Sequence, residues 1–316
     1  MSTGKGKRRK RPRAGSPRPT TRASAPARTA SNAASPGGLL GRVLGPAVPP
    51  SMSEMPTFRR SLAQGFLLVA SNAVLVLGAL VFVYLVWLVL LAFGFVGTAL
   101  ALTQMLAMPP LSTAFDTQNA ISLAGQQSGL IVALPLLLFR AVVVCALSGL
   151  LVEGFERRGS TSLGGVVRGL ASFPTVLAYL MLSFVALFLA QFGSVLGPGL
   201  GTLLQVLLPA FVLWALGFVP FAAVRERRPL ADTLRRSYAA ARTPGGRHLS
   251  FCIVYVLLAF VLPLFVPGRS IITANPAPGT WIGLYVLSFL HVGFTAAMAY
   301  RWLAVESSVP DTLARR

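Results

Sequence analysis

Carboxylates, histidines and cysteines are nearly missing from this chain. Its 316 residues hold 8 Asp and Glu, 2 His and 2 Cys, and charged residues of every kind make up 11%. A soluble domain carries about 25% charged residues, so this chain has too little charge to keep a globular surface wet. Cys145 and Cys252 show no CxxC spacing. That excludes a secreted disulfide scaffold, and both read as small apolar packing residues. No HExxH, GxSxG, GxxxxGK or GxGxxG pattern occurs, and no pair of acids is spaced for acid/base work on one helix. Neither a metal-ligand set nor paired histidines can be assembled. The expectation is a chain without a cofactor and without catalytic activity of its own.

What the chain has is apolar sequence and arginine. Hydrophobic residues make up 54% and mean hydropathy is +0.71, which points to a polytopic membrane protein. Net charge is +20, and 13 of the 28 Lys and Arg lie in residues 1–60. Residues 1–56 are rich in Arg, Pro, Ser, Ala and Gly without apolar periodicity. Such a segment cannot bury enough surface to offset its ordering entropy, so it reads as a disordered basic tail. The run from Lys5 to Arg11 has the charge to meet nucleic acid or anionic lipid. No aromatic residue precedes Phe58, however, so nothing there stacks on bases. A solvated cytoplasmic tail is the simpler reading. Met52 and Met55 are alternative starts just ahead of the first apolar run. That run is too long for a cleavable signal.

A span needs about 20 apolar residues to cross the hydrocarbon of a bilayer. Six segments qualify: Phe66 to about Leu102, Gly129 to Val152, Pro174 to Phe192, Leu200 to Ala222, His248 to Val266 and Trp281 to Val305. The first is read as one long helix, with Ser71 and Asn72 near an interface. Short connections carry Arg157, Arg158, Arg168, Arg225, Arg227, Arg228, Arg235, Arg236, Arg242 and Arg247 on one side, against Arg269 alone on the other. The positive-inside rule then places both termini in the cytoplasm. The organisation is a tail over 1–56, a six-helix domain over 57–305 and a short cytoplasmic tail over 306–316.

Three entries into the apolar segments read alike. Thr57-Phe-Arg59-Arg60-Ser61-Leu-Ala63 precedes the first and Thr233-Leu-Arg235-Arg236-Ser237-Tyr-Ala239 the fifth. Val166-Val-Arg168-Gly-Leu-Ala171-Ser172, before the third, is the weakest match. The expected fold is all-α: six transmembrane helices as three hairpins, each entered through a short cytoplasmic interfacial helix. The clearest such helix spans Pro229 to Arg242, with Leu230, Leu234, Tyr238 and Ala241 on one face. Pro229 suits a helix start, and Asp232 complements the dipole of the first turn. A helix of this pattern lies in the headgroup layer. Arg225, Arg227, Arg228, Arg235, Arg236 and Arg242 are therefore the candidate contacts to anionic lipid headgroups.

The stretch from Val224 through Glu226, Arg235-Arg236-Ser237-Tyr238 to Arg242, followed by an apolar helix, resembles a motif of certain bacterial six-helix membrane families. These include the membrane domain attached to some glycerophosphodiester phosphodiesterases and related integral membrane proteins. Tyr238 stands where that family carries Trp. The resemblance implies six helices, a cytoplasmic motif and an inner-membrane location, and it implies no activity, because the membrane domain is not the catalytic part.

Two ionisable residues lie within spans: Arg140 near the middle of the second and His291 near the middle of the sixth. A membrane-embedded Arg is costly and faces protein or water. Both sit at similar depth, so they form either one polar layer or two separately satisfied buried groups. The function expected is a structural, lipid-contacting or regulatory membrane module, with lipid headgroups and an unidentified membrane or cytoplasmic protein as partners. The alternative is a transporter or channel-like protein using the Arg140–His291 layer for an anion. A membrane-embedded enzyme acting on lipid headgroups has the least support.

Overall fold

A computed structural model of the chain describes residues 51–92, 106–109, 111, 129–191, 197–266 and 277–309. The basic run from Lys5 to Arg11, the end of the first apolar segment, Asp116 and Arg269 lie outside the described residues. Among the described residues the secondary structure is helical: α1 Phe58–Ser71, α2 Ala73–Ala92, α3 Gly129–Glu156, α4 Leu163–Leu170, α5 Phe173–Gln191, α6 Pro198–Leu216, α7 Val219–Glu226, α8 Leu230–Ala241, α9 His248–Val261 and α10 Pro278–Val305. A 3₁₀ turn, Leu262–Phe265, extends α9, and another, Glu306–Ser308, follows α10. Four helical segments are long and apolar enough to cross a membrane, and up to 6 if each of two bent pairs counts as one span. Leu77, Phe211 and Leu257 are about half exposed. Apolar side chains at this density on the outside of a bundle match a lipid surround rather than water.

The first span differs from the unbroken helix expected. The chain bends by 81° between α1 and α2, and Asn72 makes the bend. Its Oδ1 accepts from the Val74 N–H at 3.0 Å, capping α2, while its Nδ2 donates to Gly159 O at 2.9 Å and Thr161 Oγ1 at 3.0 Å. Asparagine at an N-cap competes well with helix continuation. Here it also ties the bend to the connection between α3 and α4. A second bend, of 61°, separates α4 from α5.

Helix contacts at the arginine-rich end are made by small residues. A Cβ on Gly65 of α1 would lie 2.5 Å from the Ala297 N and 2.7 Å from the Gly293 O of α10. Gly165 and Gly169, one turn apart on α4, meet α3 at Gly149 and Cys145 just as closely. This small-xxx-small packing brings backbones into direct contact. On α4 it leaves Leu163 and Val167 outward, at 83% and 67% exposure.

Two further departures follow from burial. Residues 51–56, assigned by composition to the tail, are docked: Met52 N–H donates to Ala304 O and Met55 N–H to Pro244 O, both at 2.8 Å, and Met55 is buried. Specific backbone partners outweigh the poor local composition. Leu106, Ala107, Met108 and Leu111, which lie between the first two apolar segments, are also buried in the bundle. Met108 N–H donates to Tyr255 Oη at 2.9 Å.

Candidate functional site

The last turns of α3, α7 and α10 and the middle of α8 meet at the arginine-rich end. They enclose an open cavity of about 500 Å³ lined by Glu156, Arg225, Glu226, Arg228, Arg236 and Glu306, among others. Its ion pairs are continuous. Arg225 bridges Glu156 and, at 3.3 Å, Glu306. Glu156 also takes Arg168 at 2.5 Å. Glu226 holds Arg228 at 3.0 Å and Arg236 at 2.8 Å. Arg236 Nη2 reaches Glu306 O at 3.5 Å. The side chains of Glu226 and Arg236 are only 8% and 6% exposed. Breaking that pair is worth several kcal/mol, whereas the half-exposed pairs around it are worth about 0–1 kcal/mol each.

Beside the cavity, Glu153 fastens α4. Its carboxylate accepts from the Ser162 N–H at 2.9 Å and the Ser162 hydroxyl at 2.8 Å, and it pairs with Arg157 at 2.8 Å. The acid thus sits at the start of α4, where the helix dipole favours a negative charge.

The six arginines expected at the headgroups divide into two sets. Arg225, Arg228 and Arg236 are held by glutamates of the protein itself, and Arg236 is buried. Arg227, Arg235 and Arg242 are exposed. Arg227 closes α7 at φ 51°, Arg235 has Asp232 at 3.9 Å, and Arg242 lies over the Tyr238 ring at 5.7 Å. Helix α8 is docked rather than afloat. It buries Thr233, Arg236, Ser237, Ala240 and Ala241, and the Ser237 hydroxyl donates to Ala215 O of α6 at 3.1 Å. Leu230 and Leu234 pack against a protein cluster containing Val176, Tyr179 and Val219. The two sequence repeats diverge at their second arginine, since Arg60 of α1 is exposed where Arg236 of α8 is buried.

Arg140 and His291 are each 3% exposed. His291 stands at the middle of the 28-residue α10, and its Nδ1 shares a hydrogen bond with Tyr255 Oη at 3.0 Å. Tyr255 in turn caps the Met108 amide, so the polar partner described for His291 is a tyrosine. Two voids of about 10 Å³ flank this chain, one bordered by Tyr255 and His291, the other by Met108, Ser148 and Thr295. Arg140 borders neither.

Sequence reasoning missed Arg301. It lies four residues before the end of α10, where an arginine reads as a border residue reaching for water. Instead it is 0% exposed. Its Nη2 donates to Pro56 O at 3.1 Å and Gly246 O at 2.6 Å, and its guanidinium lies 4.8 Å from the Phe251 ring centre. It therefore joins the docked N-terminal segment, the loop before α9 and α10. The flanking Tyr300 and Trp302, both buried, were the available signal. Glu306 was missed as well, because it falls just past the last apolar residue.

Among the described residues no group of three or more His, Cys, Asp and Glu is placed to hold a metal ion, and Cys145 and Cys252 are free and buried. No protein-family model, curated protein or solved structure matches the chain.

Proposed function

We propose that the chain is a multi-pass protein of a bacterial inner membrane, without catalysis of its own, whose cytoplasmic face contacts anionic lipid headgroups. One observation carries this reading. Glu153, Glu156, Glu226 and Glu306 are each engaged by arginines, while Arg227 and Arg242 on that face stay exposed with no carboxylate partner among the described residues. Charge left over after internal pairing is available to phosphate. Each such arginine near an anionic surface contributes about 1 kcal/mol. The ten-to-one arginine bias supports six spans with both termini in the cytoplasm, and the entry helices α1, α4 and α8 support three hairpins. The likeness of the α7–α8 motif to glycerophosphodiester phosphodiesterase-associated domains adds a layout and no chemistry. Replacing Arg227, Arg235 and Arg242 together by Gln in the full chain should abolish enrichment of anionic lipid around the purified protein, read by native mass spectrometry. Unchanged enrichment refutes the reading. Reporter fusions after residues 160, 230 and 312 should all report the cytoplasm, and one on the other side breaks the topology.

A second reading, a transporter or channel-like protein, is favoured by Met108. Backbone that is not helical at mid-membrane depth is tolerated only inside protein or beside a water-filled cavity, and Met108 lies level with His291 through Tyr255. Labelling of cysteines introduced at positions 108 and 140 by a water-soluble thiol reagent should succeed if a pathway opens there. Protection of both positions rejects it.

A further inference from the structure

The cavity at the arginine-rich end balances its own charge. Three arginines and three glutamates line it, so their formal charges sum to zero. A simple anion placed there faces three carboxylates, and a simple cation faces three guanidiniums. A molecule that carries both charges finds a partner for each and adds no net charge. The space, about 500 Å³, falls within the roughly 300–1,000 Å³ of small-molecule sites. Part of its wall is apolar, made by Phe155, Leu303 and Val309.

The ion pairs around this space differ in how readily a ligand can engage them. Glu226 and Arg236 are buried against each other and form its fixed part. Arg225 and Glu306 are within reach, with side chains 40% and 22% exposed. Arg225 Nε lies 3.3 Å from both carboxylate oxygens of Glu306, which is long for a charge-assisted bond. Arg225 Nη1 is given to Glu156, so Nη2 takes part in neither contact. Among the described residues the Glu306 carboxylate pairs with no second cation. A solvent-facing pair of this kind contributes little to stability, so a ligand can share its members at little cost to the fold.

We propose that the cavity binds an apolar α-amino acid, its carboxylate on Arg225, its ammonium on Glu306 and its side chain against Leu303 and Val309. The two charges of an α-amino acid stand on one carbon, a separation that matches two protein groups already in contact. The four charges then alternate around a ring. A guanidinium fork suits a planar carboxylate, and the ammonium has three donors to share between Glu306 and the Ser307 hydroxyl beside it. A phosphoethanolamine headgroup sets its charges two carbons and an oxygen apart, a poorer match to that pair. The site uses none of the arginines on which the headgroup reading rests, so each idea stands or falls alone.

The test uses the full chain in nanodiscs of phosphatidylcholine, with thermal unfolding as the readout. The probes are leucine, isocaproate, which is leucine without its ammonium, and isoamylamine, which is leucine without its carboxylate. Leucine should stabilise the protein saturably. Each analogue should bind roughly tenfold more weakly, the worth of one hydrogen bond to a charged group. Glu306→Gln should bring leucine down to the level of isocaproate without weakening isocaproate. Arg225→Gln should bring leucine down to the level of isoamylamine without weakening the amine. General damage to the cavity would weaken all probes alike, so this selectivity separates recognition from a structural role. Arg225→Lys keeps a cation for Glu156 and replaces the Gln variant if that one does not fold; it should weaken leucine in the same direction. Four results overturn the proposal: no saturable effect of leucine, equal effects of the three probes, wild-type leucine affinity in a folded variant, or stabilisation by phosphatidylethanolamine in the disc in place of leucine.

Discussion

Glu226 and Arg236 make the contact whose removal can be sized most directly. Arg236 Nε lies 2.9 Å from Glu226 Oε1 and 2.8 Å from Oε2, and both side chains are more than nine-tenths buried. Removing one member leaves the other charge in place without its closest partner. Loss of one partner from a buried pair costs about 3–5 kcal/mol. The two singles should differ. Arg236→Met leaves Glu226 with Arg228 at 3.0 Å, so its cost should fall near the bottom of that range. Glu226→Gln leaves two guanidiniums around a neutral amide, so its cost should lie higher. The double variant Glu226→Gln with Arg236→Met removes both charges and should cost less than the sum of the singles, with a coupling of about 2 kcal/mol. Equilibrium unfolding of the four proteins in one detergent gives the cycle. Additivity within about 0.5 kcal/mol would show that the pair is incidental and that α8 is held by Ser237 and the apolar contacts alone.

Three other perturbations are sized by contacts described above. Gly65→Ala places a methyl against the backbone of Ala297, so α1 must lift from α10; destabilisation of about 1–3 kcal/mol is expected, measured by the same unfolding assay. Asn72→Ala removes the α2 cap and both bonds to the α3–α4 connection, for about 2 kcal/mol, whereas Asn72→Asp should keep the cap and lose only the donated bonds. Deleting residues 1–50 should leave expression and topology unchanged. Extending the deletion through Thr57 should lower the unfolding temperature by about 5 °C or more, because it removes the bonds to Ala304, Pro244 and Arg301.

The membrane class and the positions of most apolar helices were legible because they depend on composition and length alone. A run of some twenty apolar residues has one economical state in lipid. The sequence bias of arginine to one set of connections was equally plain. What escaped was set by pairings between distant residues. Asn72 reads as one polar residue in an apolar run, and only Gly159 and Thr161, almost ninety positions away in sequence, turn it into a corner. Its adjacency to Ser71 was the usable hint, since Ser-Asn is a weak helix interior and a good helix start.

The arginines of α8 show why a helical wheel could not finish the argument. The wheel separates the leucines from Arg235, Arg236 and Arg242 and so describes a helix floating on headgroups. Tertiary contacts rotate that picture. The side facing protein is built from Thr233, Ser237, Ala240 and Ala241, small enough for α6 to approach, and it takes Arg236 with it. Arg236 can enter because Glu226, ten residues earlier on another helix, enters too. A buried charge is read correctly from sequence only when its counter-charge can be named, and for Arg301 no residue of the described chain supplies one. Arg301 is held instead by the carbonyls of Pro56 and Gly246 and covered by the Phe251 ring, partners from two distant stretches of chain that its own helix does not announce.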